Sequence, residues 1–159
     1  MDIKFEGSVI FVKDVEESRC FYENLLGQKA KDDFGRFVGY EGGFGIWEAD
    51  FAHQLIYEKP PEESGPLGKR NLELYFETEV IEEAWSRFSE ADIELVHPMI
   101  EQPWGQRVFR LYDPDGHIVE IGEPLPIVAR RFLDQGMEPE EVAKKTMMPL
   151  EAVKKIAKS

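Results

Sequence analysis

A chain of 159 residues with a formal net charge of −13 is long enough to bury a sizeable core, and its average surface repels nucleic acid. The single cysteine, Cys20, excludes an intramolecular disulfide and fits a reducing cytoplasm, and no stretch has the length or apolarity of a membrane span or secretory leader. The charge is uneven. Residues 126–159 carry seven Lys and Arg against five Asp and Glu, a net of +2 that leaves −15 for the rest and marks the tail as separate.

In chain order, Ser8-Val9-Ile10-Phe11-Val12 reads as a short strand. Asp14 then caps a helix with two glutamates in its first turn and Gly27 at its far end, and Val15, Phe21, Tyr22, Leu25 and Leu26 form its apolar stripe. The runs 35–40 and 44–48, separated by Glu41-Gly42-Gly43, predict a hairpin. Phe51-Ala52-His53-Gln54 reads as irregular. Residues 58–69, with three prolines and two glycines, predict a linker.

After the linker the pattern returns: a strand at 72–76, a helix at 80–89, a strand at 93–96, and a hairpin through Val108–Tyr112 and His117–Glu123. The hairpin turn is Asp113-Pro114-Asp115-Gly116. There Pro114 presets φ, Asp113 can bond its own backbone, and Gly116 tolerates positive φ. Beyond Pro124, three helical segments follow at 127–135, 139–145 and 149–158, with proline in the first turn of the last two and an apolar seam of Val142, Leu150, Val153 and Ile156. Short strands, tight hairpins and one helix per unit argue for an α+β fold over a parallel doubly wound sheet.

The strand, Asp14 and its helix, together with Pro103-Trp104-Gly105 and Asp113-Pro114-Asp115-Gly116 followed by Glu120, resemble the vicinal oxygen chelate superfamily of glyoxalase I, bleomycin-resistance proteins and extradiol dioxygenases. The resemblance covers roughly residues 5–124. It implies two βαβββ modules, about 5–57 and 70–124 within a domain of residues 1–124, forming a curled mixed sheet around a bowl and often completed by homodimerisation. Residues 125–159 would be a small helical extension, resembling a helix-turn-helix, that braces the main domain or a dimer.

Glu120 is the acid to explain, because strand alternation sets it on one face with Ile118, and a carboxylate among apolar neighbours demands a cation, a hydrogen-bond partner or a wet pocket. Either a ligand or Arg107 or Arg110 would meet that demand. Aromatic Phe11, Trp47, Tyr75, Trp104 and Phe109 lie on or beside the same strands, and rings with an acid suit a small aromatic or cationic ligand. Family enzymes imply a divalent metal held by a His on the first strand of each module and carboxylates on the last strands. Glu120 matches the final carboxylate and Glu48 is the other candidate, but Gly7 and Asn71 stand where the histidines would be. His53, His97 and His117 read as surface or capping residues, and opposite parity from Glu120 turns His117 away from the bowl.

The expectation is a cytoplasmic, homodimeric small-molecule binding protein without membrane or nucleic-acid partners, no cofactor being required. The alternatives are a metal-dependent lyase or dioxygenase with atypical ligands, Glu48, Glu120 and a third group, and a ligand-sensing regulator with a DNA-binding tail; Glu48, Glu73 and Glu120 together would instead suit a loosely held hard cation.

Overall fold

The computed structural model describes residues 3–60 and 65–158. The central part of the predicted linker, 61–64, lies outside them. The fold is α+β, with two four-stranded mixed sheets. The chain divides into two compact units, Met1–Leu72 with Asp113–His117 and Glu73–Tyr112 with Ile118–Ser159.

In the first unit, β1 (Ser8–Val12), β2 (Ala30–Asp33), β3 (Phe37–Tyr40) and β4 (Phe44–Glu48) form a sheet in the order β1-β4-β3-β2. β1 runs parallel to β4 and the other neighbours are antiparallel. The parallel pair requires a crossover, which α1 (Val15–Arg19) and the π-helical turn Cys20–Leu25 supply. Asp14 caps α1 by accepting hydrogen bonds from the backbone N–H groups of Glu16 and Glu17 at 2.8 and 3.1 Å, as its position before two glutamates predicts. Ile10, Val12, Val38, Tyr40, Phe44 and Ile46 face the helix and are buried with Phe21 and Tyr22. Val9, Phe11, Phe37 and Trp47 take the opposite parity and line the other face.

Two elements depart from expectation. β2 is a fully exposed edge strand of sequence Ala-Lys-Asp-Asp, which has no apolar alternation to betray it. The segment expected to be irregular is α2 (Ala49–Tyr57), which buries Ala49 and Ala52 and leaves Phe51, Leu55, Ile56 and Tyr57 exposed.

The second unit repeats the topology with β5 (Glu73–Glu77), α3 (Ile81–Ser89), β6 (Leu95–Glu101), β7 (Arg107–Tyr112) and β8 (Ile118–Gly122) in the order β5-β8-β7-β6. Register pairs Arg110 with Glu120, Phe109 with Ile121 and Leu111 with Val119, so one face holds Phe109, Leu111, Val119 and Ile121 and the other Arg110 and Glu120. The apolar face packs under α3, where Phe109 meets Trp85 and Phe88 at ring-centre distances of 5.3 and 5.5 Å. Burying each such ring contributes about 2 kcal/mol or more.

The tail forms α4 (Leu125–Asp134), α5 (Pro139–Thr146) and α6 (Leu150–Lys158). A cluster of Val128, Ala129, Phe132, Val142 and Val153 is their common core. α4 is bolted to the second unit by Arg131, which bonds the Gly105 carbonyl at 2.5 Å and pairs with Glu123 and Glu101 at 3.1 and 3.2 Å. Gly105 has φ +89°, and a Cβ there would collide with the Phe132 ring, so only glycine lets α4 approach this closely. Docking against the main fold, expected from the shortness of the helices, has these contacts as its physical form.

Candidate functional site

The site is built in the first unit, where the linker and α2 cover one end of β1. A cavity of about 500 Å³ opens there. Val9, Phe11, Tyr57, Leu67 and Leu72 supply its apolar wall, and His53, Lys59, Lys69, Asn71 and His117 its polar groups. Phe11 reaches it because β1 parity turns it away from α1. α2 brings His53 and Tyr57 into line because residues four apart share a helix face. The rings touch in sequence: Phe37 to Trp47 at 6.1 Å, Trp47 to Phe11 at 6.1 Å, Phe11 to His53 at 5.6 Å, and His53 to Tyr57 at 5.2 Å.

The remaining wall is where the linker meets the hairpin turn. Gly68 N–H donates to the Asp115 carbonyl at 3.0 Å, and a Cβ on Gly68 would strike the carbonyl of Gly116. Gly116 itself has φ +84°, as the Asp-Pro-Asp-Gly pattern requires. Asp113 Oδ1 accepts from the backbone N–H groups of Asp115 and His117 at 3.0 and 2.8 Å, closing the turn.

Asp113 also organises side chains. Its Oδ2 accepts from the Tyr22 hydroxyl at 2.8 Å and lies 2.9 Å from His117 Nδ1, and Asp113 and His117 are only 4% and 6% exposed. Burial, with Asp113 as neighbour, pushes the Tyr22 phenol far up, so it stays a donor. Asp115 accepts the Lys13 backbone N–H at 2.9 Å, while burial raises its carboxyl above the usual range despite that bond. The expectation of a surface His117 is thereby corrected: β8 begins at Ile118, so strand parity does not govern His117, and its ring is drawn inward by Asp113. His53 is corrected likewise, from an irregular segment to a helix face on the cavity.

The residues singled out from sequence fall into four groups. Phe11 lines the cavity and Trp47 backs it through Phe11. In the second unit, Trp104 and Tyr75 are joined through Gln106, whose Oε1 accepts from Trp104 Nε1 at 3.0 Å and whose Nε2 donates to the Tyr75 hydroxyl at 2.8 Å. Tyr75 in turn donates to Glu77 at 2.8 Å, and burial foremost, then Glu77, pushes its phenol to about 12. Phe109 is fully buried against α3, so its ring is core. Glu120, 6% exposed, pairs with Arg110, which also bonds Glu73 at 2.7 Å and contacts His97 Nε2 at 3.0 Å. The cation that Glu120 demands is therefore Arg110.

The donor set for a family-type metal is not assembled among the described residues. No group of three or more His, Cys, Asp or Glu side chains there is placed to hold an ion. Glu48 is engaged by Arg36 at 3.2 Å. At position 7 a Cβ would lie 2.5 Å from the Gly43 carbonyl oxygen, so the backbone leaves no room for an imidazole where the first histidine would stand. Asn71, at the second such position, lines the cavity.

Sequence reasoning missed His53, Tyr57, Lys59, Lys69 and His117 as cavity groups, and Asp113 as the partner that holds His117. The four-residue spacing of His53 and Tyr57, once 49–57 is read as a helix, was the available signal.

A glyoxalase-like domain model matches residues 5–126. Among solved structures, a protein of unknown function from Agrobacterium tumefaciens is 40% identical, with a TM-score of 0.72, over 78% of this chain and 96% of that one. A glyoxalase/bleomycin resistance protein/dioxygenase superfamily member from Sphaerobacter thermophilus is 27% identical at a TM-score of 0.55, over 77% and 98% of the two chains. One from Nocardioides is 22% identical at 0.59, over 77% and 85%, which speaks to the fold. No curated protein matches the sequence. With the repeated βαβββ topology and the terminal Asp-Pro-Asp-Gly hairpin, these matches place the chain in the glyoxalase-like domain family of the vicinal oxygen chelate superfamily.

Proposed function

We propose that this chain binds a small planar organic anion in the cavity of its first unit. The composition of the lining carries the reading: Phe11, His53 and Tyr57 present flat faces, and Lys59, Lys69 and Asn71 bring N–H donors that suit the oxygens of an anion. The volume of about 500 Å³ suits a ligand of one or two rings. This moves the ligand from the Glu120 face, whose charge Arg110 already meets, and changes the favoured ligand from cation to anion.

Melting curves with 1-naphthoate, 2-oxo-4-phenylbutanoate and 1-naphthylmethylamine test it, since a ligand that binds only the native state raises the melting temperature. The two acids are expected to raise it by several degrees and the amine not to. The double variant Lys59→Glu, Lys69→Glu should lose the response to the acids. Equal responses to acid and amine, or none to either acid, would remove the reading.

We further propose a homodimer. Leu55, Ile56 and Tyr57 of α2, 58%, 49% and 56% exposed, form with Phe51 an apolar strip that a second copy would cover.

A further inference from the structure

We infer that the turn between α5 and α6 is a docking point for an acidic segment of another protein that carries an apolar side chain, with Met147 as the anchor. Both helices lie beyond residue 126, where the match to the glyoxalase-like domain ends, so this surface is independent of the cavity.

The turn is Met147-Met148-Pro149, and buried Thr146 fixes its shape. The Thr146 hydroxyl donates to the Val142 carbonyl at 2.7 Å and accepts from the Met148 N–H at 3.4 Å, while Met148 packs on the core of the tail. Met147 is left pointing outward, 76% exposed, with a left-handed φ of +60°. That backbone is strained for methionine and free for glycine, and a side chain so exposed gains little from the fold. A residue held in strain without a return in packing points to a contact made outside the chain. An unbranched, polarisable thioether suits an apolar hollow on a partner.

Charge selects the partner. Lys144 and Lys145 close α5 just before Met147, Lys155 and Lys158 lie on α6, and all four are exposed. Among the described residues Lys144, Lys155 and Lys158 have no carboxylate at ion-pair distance, and Lys145 lies over the Phe132 ring at 4.9 Å. The acids of α5 are engaged at its other end, Glu138 and Glu141 in a capping box and Glu140 with Lys154 at 3.4 Å, which leaves Glu151 on α6 as the acid nearest the turn in sequence. The rest of the chain, at −15, turns an acidic segment away, so the tail is where one settles. Nucleic acid fits less well. A helix-turn-helix reads DNA with the first residues of its second helix, where this chain exposes Glu151, and a duplex brings far more negative charge against the body than a short peptide does.

The test uses the intact chain and fluorescence anisotropy at physiological ionic strength. The labelled probes are a peptide of glutamate and leucine at helical spacing, the same peptide with glutamine for glutamate, and a mixed-sequence DNA duplex. The acidic peptide is expected to bind about tenfold more tightly than the glutamine peptide. Met147→Gly removes the anchor and relieves the backbone, so it should weaken the acidic peptide by about tenfold while the melting temperature holds or rises. Lys144→Glu with Lys155→Glu should abolish binding with the melting temperature unchanged, since both side chains are exposed. No binding of the acidic peptide, equal binding of the two peptides, or unchanged affinity in Met147→Gly would overturn the inference. A duplex bound more tightly than the acidic peptide would also overturn it, by making this a nucleic-acid surface. Should one variant fail to fold, the other decides.

Discussion

Tyr22 shows how a single side chain supports the site without lining the cavity. It is fully buried among Phe21, Tyr40 and Phe44, and its hydroxyl reaches Asp113 at 2.8 Å. Tyr22→Phe keeps the ring and removes one buried donor to a carboxylate, which costs about 1–3 kcal/mol. Urea denaturation followed by circular dichroism should read that loss, and the naphthoate response should survive because the cavity lining is unchanged. A variant as stable as wild type would show that the bond contributes nothing net.

At the scale of elements, the junction of β7, β8 and α4 turns on Glu123, which is wholly buried and meets Arg107 at 2.5 Å and Arg131 at 3.1 Å. Burial alone would push its carboxyl up. The Arg107 side-chain and backbone hydrogen bonds and the charges of Arg131 and Arg107 outweigh that and hold it below the usual glutamate range. A carboxyl depressed in the folded state contributes stability that is present above its unfolded value, about 4.3, and lost as pH falls through the lower folded value. Wild type should therefore lose stability on acidification below about pH 4.5, and Glu123→Gln should lose about 3 kcal/mol at neutral pH with a shallower acid dependence. Urea midpoints across pH 3–7 check both; parallel profiles for the two proteins would place the acid sensitivity elsewhere.

For the whole molecule, the proposed dimer is the property to measure. Leu55→Lys with Ile56→Glu puts charge into the apolar strip of α2 without touching the cavity lining. Sedimentation velocity should show wild type as a dimer and the double variant as a monomer with an unchanged melting curve for its core. A monomeric wild type, or a double variant that stays dimeric, would rule out α2 as the interface. Charge argues at the same scale: with −13 overall, duplex DNA is expected to show no retention at physiological salt despite the +2 tail. Among the described residues no helix is long and apolar enough to cross a membrane.

The amino-acid sequence by itself determined the elements whose cause is local. Asp14 before two glutamates specified a cap, Asp-Pro-Asp-Gly specified a hairpin, and alternation along 118–122 set Val119 and Ile121 on the face opposite Glu120, because side-chain period and turn chemistry need no distant partner. The repeat then made the α+β fold legible. What only tertiary structure decided was which charged groups meet. Arg110 answers Glu120 because β7 and β8 pair in that register, so an acid that reads as a ligand site is neutralised by a neighbouring strand. His117 read as a surface residue and lies buried because Asp113, four positions earlier, is locked by Tyr22 from ninety-one residues away. The Tyr22–Asp113 bond joins segments far apart in sequence, which neither periodicity nor composition records, and the choice among Arg107, Arg110 and a ligand for Glu120 was settled by the hairpin's register.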